Sequence, residues 1–320
     1  MAKVPTPLIG CLLGAALLCW ALIVGMSNLD TDSMRMHLAL RAYPLHPAQN
    51  SRLVVSMSTF SRRVEASSLL TIQSIVESGS YERLIVSIPL AHRFGVSSQK
   101  ETDESVEAIL AFYGNALGAF EPVQFEPVQG RAPAFTNANH SIYLQFLKED
   151  FGPATKLLGA LLVEREPSTI ILTVDDDIIY SPLLLPFVRG SAPSEAAFSS
   201  VCQVLTPSGQ DFRSVPDPHW LWRIEPKACT GWLVGWAGVA YRVGFFADDV
   251  FSRARNLSYG CFLNDDVWLS GYLLSKGVPR VVFPALPGGM HFRHPTLSLS
   301  VIPDAQSGML TRCAAEMGFE

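Results

Sequence analysis

The chain carries little charge for its length. Asp, Glu, Lys and Arg make up 17% of it, while hydrophobic residues make up 48%. That balance excludes disorder along the whole chain, because so apolar a sequence can bury enough surface to fold. A basic excess is also lacking: 24 Lys and Arg face 29 Asp and Glu, a formal net charge of -5. The sequence therefore has no electrostatic footprint for nucleic acid. A small anionic substrate is not excluded, since a few local cations or one metal ion can hold it. Collagen-like and heptad periods are missing. No Cys-x-x-Cys pair occurs, so a thiolate zinc site has no support. There is no GxxxxGK[ST] phosphate loop and no GxSxG nucleophile turn. The glycines between Gly231 and Gly238 come late and follow no phosphate-loop context, so they make no dinucleotide fingerprint.

One long apolar run is present. Leu8 to Met26 is 19 residues without Asp, Glu, Lys, Arg or His. About 20 helical residues cross a bilayer core. Lys3 and the amino terminus favour a cytoplasmic start. The pattern predicts a signal anchor: residues 1–7 as cytoplasmic tail, 8–26 as membrane span, 27–50 as stem. A cleaved signal peptide is the first alternative, with Ala15, Ala16 and Ala21 as its small residues. A buried core helix is the second, although this run has no polar face. Six Cys are present. Cys11 and Cys19 lie in the apolar run and read as packing residues. Cys202, Cys229, Cys261 and Cys313 allow two disulfides in an oxidising compartment, with three full pairings open. Asn139-His140-Ser141 and Asn256-Leu257-Ser258 are N-glycosylation acceptors in the same setting.

Residues 51–320 contain no linker and read as one α/β domain with an elaborated second half. Leu53 to Met57 predicts a strand, and Thr59 to Arg63 a polar turn. Leu69, Ile72, Ile75 and Val76 repeat at helical spacing within Val64 to Glu77. Leu84 to Ile88 predicts a second strand, ended by Pro89. Strand, helix, strand opens a parallel sheet. Glu101 to Leu117 predicts a helix, and Glu121 to Asn139 a loop. Ser141 to Asp150 and Ala154 to Val163 predict helices broken at Gly152-Pro153. Thr169 to Val174 predicts a third strand and Ala197 to Val201 a fourth. A helix over Asp265 to Ser275 and a short strand at Val281 to Phe283 follow. The last twenty or so residues show no clear pattern.

The sharpest local signal is Asp175-Asp176-Asp177, directly after a strand. Strand ends in α/β sheets place side chains in the ligand crevice. Three adjacent carboxylates repel one another unless a cation, donors or water compensate. Asp175 and Asp177 can share one side while Asp176 points elsewhere. Oxygen-rich sites suit Mg, Ca or Mn. A solvated surface turn is the bland alternative, and the apolar runs on both sides weigh against it. A second acidic pair, Asp265-Asp266, stands at a helix start. An ordinary helix N-terminal charge is its alternative reading.

The segment Leu172 to Pro182 (LTVDDDIIYSP) resembles the strand and DxD motif of GT-A-fold glycosyltransferases. Phe151 to Leu157 (FGPATKL) is similar to a segment that precedes the acidic motif in some of them. LVVSMSTFSRR with the Thr71 to Ile75 helix resembles their first strand and nucleotide-binding turn. Asn264 to Gly271 (NDDVWLSG) resembles their late acidic motif. The resemblance spans about residues 53–294 and is strongest at the two acidic motifs. It implies a GT-A-like, Rossmann-like mixed sheet flanked by helices, behind the membrane anchor. It implies metal-dependent transfer from a nucleotide sugar, UDP-linked, to a hydroxyl on a glycan, protein or lipid, with inversion. The implied ion is Mn2+ or Mg2+, and the implied location is the Golgi or endoplasmic reticulum membrane, single-pass type II, with a lumenal catalytic domain.

Site roles follow by the same resemblance. Asp177 becomes the firmest metal ligand, Asp175 faces ribose or metal, and Asp176 is the variable middle position. Thr59 and Arg62 lie near the nucleotide, and Lys156 contacts the diphosphate or remains a solvated helix residue. Asp266, with Asp265 close behind, becomes the base for the acceptor hydroxyl. His291 or His294 supplies a late metal ligand, against a surface His cluster. Apart from the resemblance, Trp rings stack on the apolar faces of sugars and glycines permit close backbone approach, so Trp220, Trp222, Trp236 and Gly238 read as a donor or acceptor floor, against a core reading. Two rivals share these residues: a metal-dependent nucleotide-sugar hydrolase or phosphotransferase, and a non-catalytic carbohydrate-binding protein of the same fold.

Overall fold

The computed structural model describes residues 51–60, 64–90, 99–123, 131–206, 212–215, 226–283, 289–291 and 303–319. The expected tail, membrane span and stem lie outside them. Among the described residues no helix is long and apolar enough to cross a membrane.

The chain opens with strand β1 (Leu53–Ser58), a π-turn at Val64–Ser68, helix α1 (Leu69–Ser78) and strand β2 (Arg83–Pro89). Ile72 and Ile75 give α1 its buried side, and Gly79 ends it with a left-handed φ of 63°, donating its N–H to Val76 O. Helix α2 (Gln99–Leu117) buries Ile109, Tyr113 and Leu117, spaced four apart on one face. Then come β3 (Glu121–Pro122), β4 (Arg131–Asn137) and β5 (Ile142–Leu147). Helix α3 (Thr155–Val163), β6 (Ile170–Val174), β7 (Ile178–Tyr180), α4 (Leu184–Ser191) and β8 (Ala197–Ser199) complete the first half.

The second half adds β9 (Cys202–Leu205), β10 (Phe212–Val215), β11 (Lys227–Ala228), β12 (Trp232–Leu233) and β13 (Val239–Arg242). Helices α5 (Asp249–Arg255), α6 (Tyr259–Leu263) and α7 (Asp265–Ser275) precede β14 (Arg280–Val282), β15 (Gly289–His291) and α8 (Pro303–Glu316).

Both halves share one sheet. Ten strands run in the order β11-β14-β8-β13-β6-β1-β2-β5-β4-β3. The four central strands β6-β1-β2-β5 are parallel. Strand β13 runs antiparallel between β6 and β8, and β14 returns parallel to β8. The result is a mixed α/β fold with a large sheet flanked by helices. Each face carries its own core. Leu53, Val55 and Met57 of β1 pack with α1, while Val54 on the opposite face joins the cluster holding α3 and α7. Gly159 lets α3 approach the sheet: a Cβ there would stand 2.2 Å from Ser87 Oγ. Each fully buried Leu of α3 contributes about 1.5–3 kcal/mol through the water it sheds.

Three sequence expectations fail. Ser141 to Asp150 is not helical, because Ile142–Leu147 is strand β5, buried along its length between β2 and β4. A strand buried on both faces loses its apolar alternation, so periodicity cannot separate it from a buried helix. Glu121 to Asn139 is not all loop: β3 and β4 extend the sheet edge antiparallel, with a register shift between Arg131 and Ala134. Edge pairing tolerates the prolines that made this segment read as loop. The C-terminal segment forms α8. Its outer face is polar, and Cys313, Ala314 and the following Phe319 are what it buries.

The open disulfide question is resolved as Cys202–Cys229 and Cys261–Cys313. The second ties α8 to α6, directly ahead of α7. Its loop spans a sequence separation of 52. Replacing Cys261 and Cys313 together by Ala should lower unfolding stability by about 2–4 kcal/mol. A urea titration reads this as a lower midpoint.

Candidate functional site

The strand order reverses at β1. From β1 the chain steps to β2 on one side, and through α3 it returns to β6 on the other. Met57 stands opposite Val174 across the β1–β6 pair. In open α/β sheets ligands bind beyond the carboxyl ends of strands at such a switch point. Thr59 leaves β1 there, and Asp175, Asp176 and Asp177 leave β6 beside it.

The three carboxylates divide as their spacing suggests. Asp176 is 4% exposed and accepts from Thr59 Oγ1 at 2.6 Å. Asp175 and Asp177 are half-buried. The Asp175 N–H donates to Tyr180 Oη at 2.9 Å, and that hydroxyl donates to Trp236 O at 3.2 Å. Tyr180 thus pins the acidic turn to the short 3-10 turn at Gly235–Ala237. Burial and the neighbouring Asp175 carboxylate hold the Tyr180 hydroxyl well above its ordinary pKa, so it stays a donor.

Lys156, in the first turn of α3, is 5% exposed. Its Nζ lies 2.6 Å from Asp175 Oδ1 and 3.0 Å from Asp265 Oδ2. Ser56 of β1 donates to the Lys156 carbonyl and fixes the backbone beneath. Burial disfavours the ammonium. The charges of Asp175, Asp265 and Asp266 outweigh it and push the Lys156 pKa well above the usual lysine range.

Asp265 and Asp266 open α7, where helix amides favour carboxylates. Desolvation wins over that dipole. Burial raises Asp265 despite the Lys156 ammonium. Burial, then the charge of Asp265, raise Asp266 to about 8. The Gly235 N–H donates to Asp266 Oδ1 at 2.9 Å. A Cβ there would stand 2.6 Å from that oxygen and 2.9 Å from Lys156 Nζ, so a side chain would push both charged groups aside.

Thr59, Lys156, Asp175, Asp176, Asp265 and Asp266 therefore meet in one place. Lys156 is not the solvated helix residue of the bland reading. Trp236 is half-buried against both core clusters, and its carbonyl is its contact to the site. Gly238 turns the chain at φ 79°, and a side chain on it would meet Leu172 and Leu184 in the core. Strand β15 pairs with β7 so that the His291 backbone stands opposite Ile178, next to Asp177. The His291 side chain lies outside the described residues, as do Arg62, Trp220, Trp222 and His294. Among the described residues no group of three or more His, Cys, Asp or Glu gathers as a metal cage. Sequence reasoning missed Tyr180 and Gly235 as site residues. Tyr180 had a signal, as an aromatic on the first alternating face after the Asp triplet. Gly235 had none apart from lying in a Gly- and Trp-rich stretch.

The chain matches no protein-family model and no curated protein. Among solved structures it is similar to the 4-diphosphocytidyl-2C-methyl-D-erythritol synthase of Anaerococcus prevotii. That likeness has 9% identity, covers 67% of this chain and 84% of that chain, and has a TM-score of 0.36. A mycobacterial protein is similar with 16% identity, 85% and 75% coverage, and a TM-score of 0.35. Likenesses this distant carry no argument about activity.

Two predictions follow from the buried cluster. Gly235→Ala should destabilise the fold by about 1–3 kcal/mol through overpacking, measured by chemical denaturation. For Asp266, the folded carboxyl keeps its proton to about pH 8, while the ordinary value is 3.8. The folded chain then binds more protons than the unfolded one across that window, so this group's contribution falls as pH rises. Asp266→Asn should flatten the decline, with its gain over the parent largest at the alkaline end. Parallel stability–pH curves for the two proteins would rule this out.

Proposed function

We propose that this chain is a GT-A-type, metal-dependent glycosyltransferase of the secretory pathway, anchored by its N-terminal apolar run in the Golgi or endoplasmic reticulum membrane. It would move a sugar from a nucleotide sugar, UDP-linked by resemblance, to a hydroxyl of a glycan, protein or lipid. One observation carries the reading: Lys156 bridges Asp175 and Asp265 at the switch point, so both acidic motifs act on one crevice. Two disulfides fit an oxidising lumen.

A hard divalent ion suits the donor set, which is carboxylate oxygen. Asp177 and Asp175 would hold it, with His291 or His294 as the late ligand. Bound there, the ion would neutralise charge on the departing diphosphate.

The chain's own groups supply the rest. The Thr59–Asp176 bond closes the floor beneath the nucleotide end of the crevice. The Lys156 ammonium, buried among carboxylates, keeps Asp175 and Asp265 together and places positive charge near the leaving group. Asp266 takes the acceptor proton, and the Gly235 N–H orients its carboxylate. Burial and the Asp265 charge raise Asp266 to about 8, so it accepts the proton only in its ionised form, and transfer should rise as pH approaches 8. The acceptor oxygen then bonds to the anomeric carbon as the bond to the diphosphate oxygen breaks, which inverts the centre.

A secreted form beginning at residue 45 would be screened against nucleotide sugars with Mn2+ and with chelator. Binding and nucleotide release should select one donor and require the ion, and Asp177→Ala should lose both. A folded protein that binds no donor with metal present would sink the assignment. Donor breakdown without an acceptor-dependent product would favour the hydrolase reading.

A further inference from the structure

The two Asn-x-Ser triplets belong to neither the crevice nor the core, yet the fold treats them alike. Asn139 sits in the 3-10 turn Ala138–His140 between β4 and β5. Asn139 and Ser141 are both exposed. The turn is built without the Asn139 amide: Asn137 caps it, its Oδ1 accepting from the His140 N–H at 3.2 Å. Ser141 takes a left-handed φ of 51° and leads into β5. Leu84 and Ile142 pair at the start of the parallel strands β2 and β5, so this turn lies at the end of the sheet opposite the crevice.

Asn256 follows α5 and is also exposed, as is Ser258. Its Nδ2 donates to Ser252 O at 2.9 Å. A primary amide nitrogen carries two hydrogens, and that bond uses one. The other can be replaced without breaking the contact. Ser258 caps α6, its Oγ accepting from the Cys261 N–H at 3.3 Å. Ser258 keeps its hydroxyl in the modified protein, so the cap survives. Cys261, three residues on, is joined to Cys313 in a bond that forms in an oxidising lumen.

We infer that Asn139 and Asn256 both carry N-linked glycans in the mature protein. The donor is a lipid-diphosphate-linked oligosaccharide in the lumen of the endoplasmic reticulum. The Asn Nδ2 bonds to the anomeric carbon, the bond from that carbon to the diphosphate breaks, one amide proton is released, and the lipid diphosphate leaves. Attachment precedes folding, so the folded chain must accommodate both sugars. Exposure of both amides and the unused second hydrogen of Asn256 allow that. The inference rests on the lumenal placement proposed above and not on glycosyl transfer.

The full chain would be produced in a eukaryotic secretory cell and treated with peptide-N-glycosidase. The expected result is a two-step increase in gel mobility. Asn139→Gln and Asn256→Gln should each remove one step, and the double variant both. Ser258→Thr should keep the Asn256 step and Ser258→Ala should lose it, which separates modification from a folding effect of the cap. A chain with intact disulfides and no shift would overturn the inference and leave lumenal placement standing. No shift together with free thiols would overturn both. Loss of one step only would overturn the assignment of the unmodified Asn.

Discussion

The buried ammonium of Lys156 is the constraint on which the candidate site depends. It lies between a carboxylate that follows β6 and one that opens α7. These segments are distant in sequence and belong to different faces of the sheet's carboxyl edge. Without the cation, half-buried Asp175, buried Asp265 and half-buried Asp266 would stand together as like charges with no compensation. With it, three carboxylates still act on one ammonium, and burial, then the charge of Asp265, holds Asp266 at a raised pKa.

The surrounding framework serves that placement. Ser56 fixes the Lys156 backbone from β1, and Gly159 lets α3 lie close enough for its first turn to reach the strand ends. Tyr180 holds the acidic turn to Trp236 O, and the same 3-10 turn supplies the Gly235 N–H to Asp266. The Cys261–Cys313 bond braces α6, which runs directly into α7. Helices α3 and α7 supply Lys156, Asp265 and Asp266, and hydrogen bonds tie the turns that carry Thr59, Asp175 and Gly235 to one another.

Much of the fold was legible. The apolar runs of β1, β2 and β6 and the helical spacing of α1 and α7 mark their elements, because each has a distinct period or length. Strand β5 was not legible: Ile142-Tyr143-Leu144-Gln145-Phe146-Leu147 is apolar on both sides, so nothing in it distinguishes strand from buried helix. Strands β3 and β4 were hidden by Pro, Gly and Asn, whose turn-forming character the sheet edge overrides. Helix α8 was hidden because few of its described residues are buried, Cys313 and Ala314 among them, and its disulfide partner lies far upstream.

The site divides in the same way. The sequence by itself determined the residue types and the two acidic words, Asp175-Asp176-Asp177 after a strand and Asp265-Asp266 at a helix start, because local pattern fixes both. Only the tertiary structure decided that the two words share one cation, that Gly235 lies against Asp266 and Lys156, and that the Trp236 carbonyl accepts from Tyr180. Those facts depend on distances between segments far apart along the chain, and sheet order and helix packing set such distances, not local propensity.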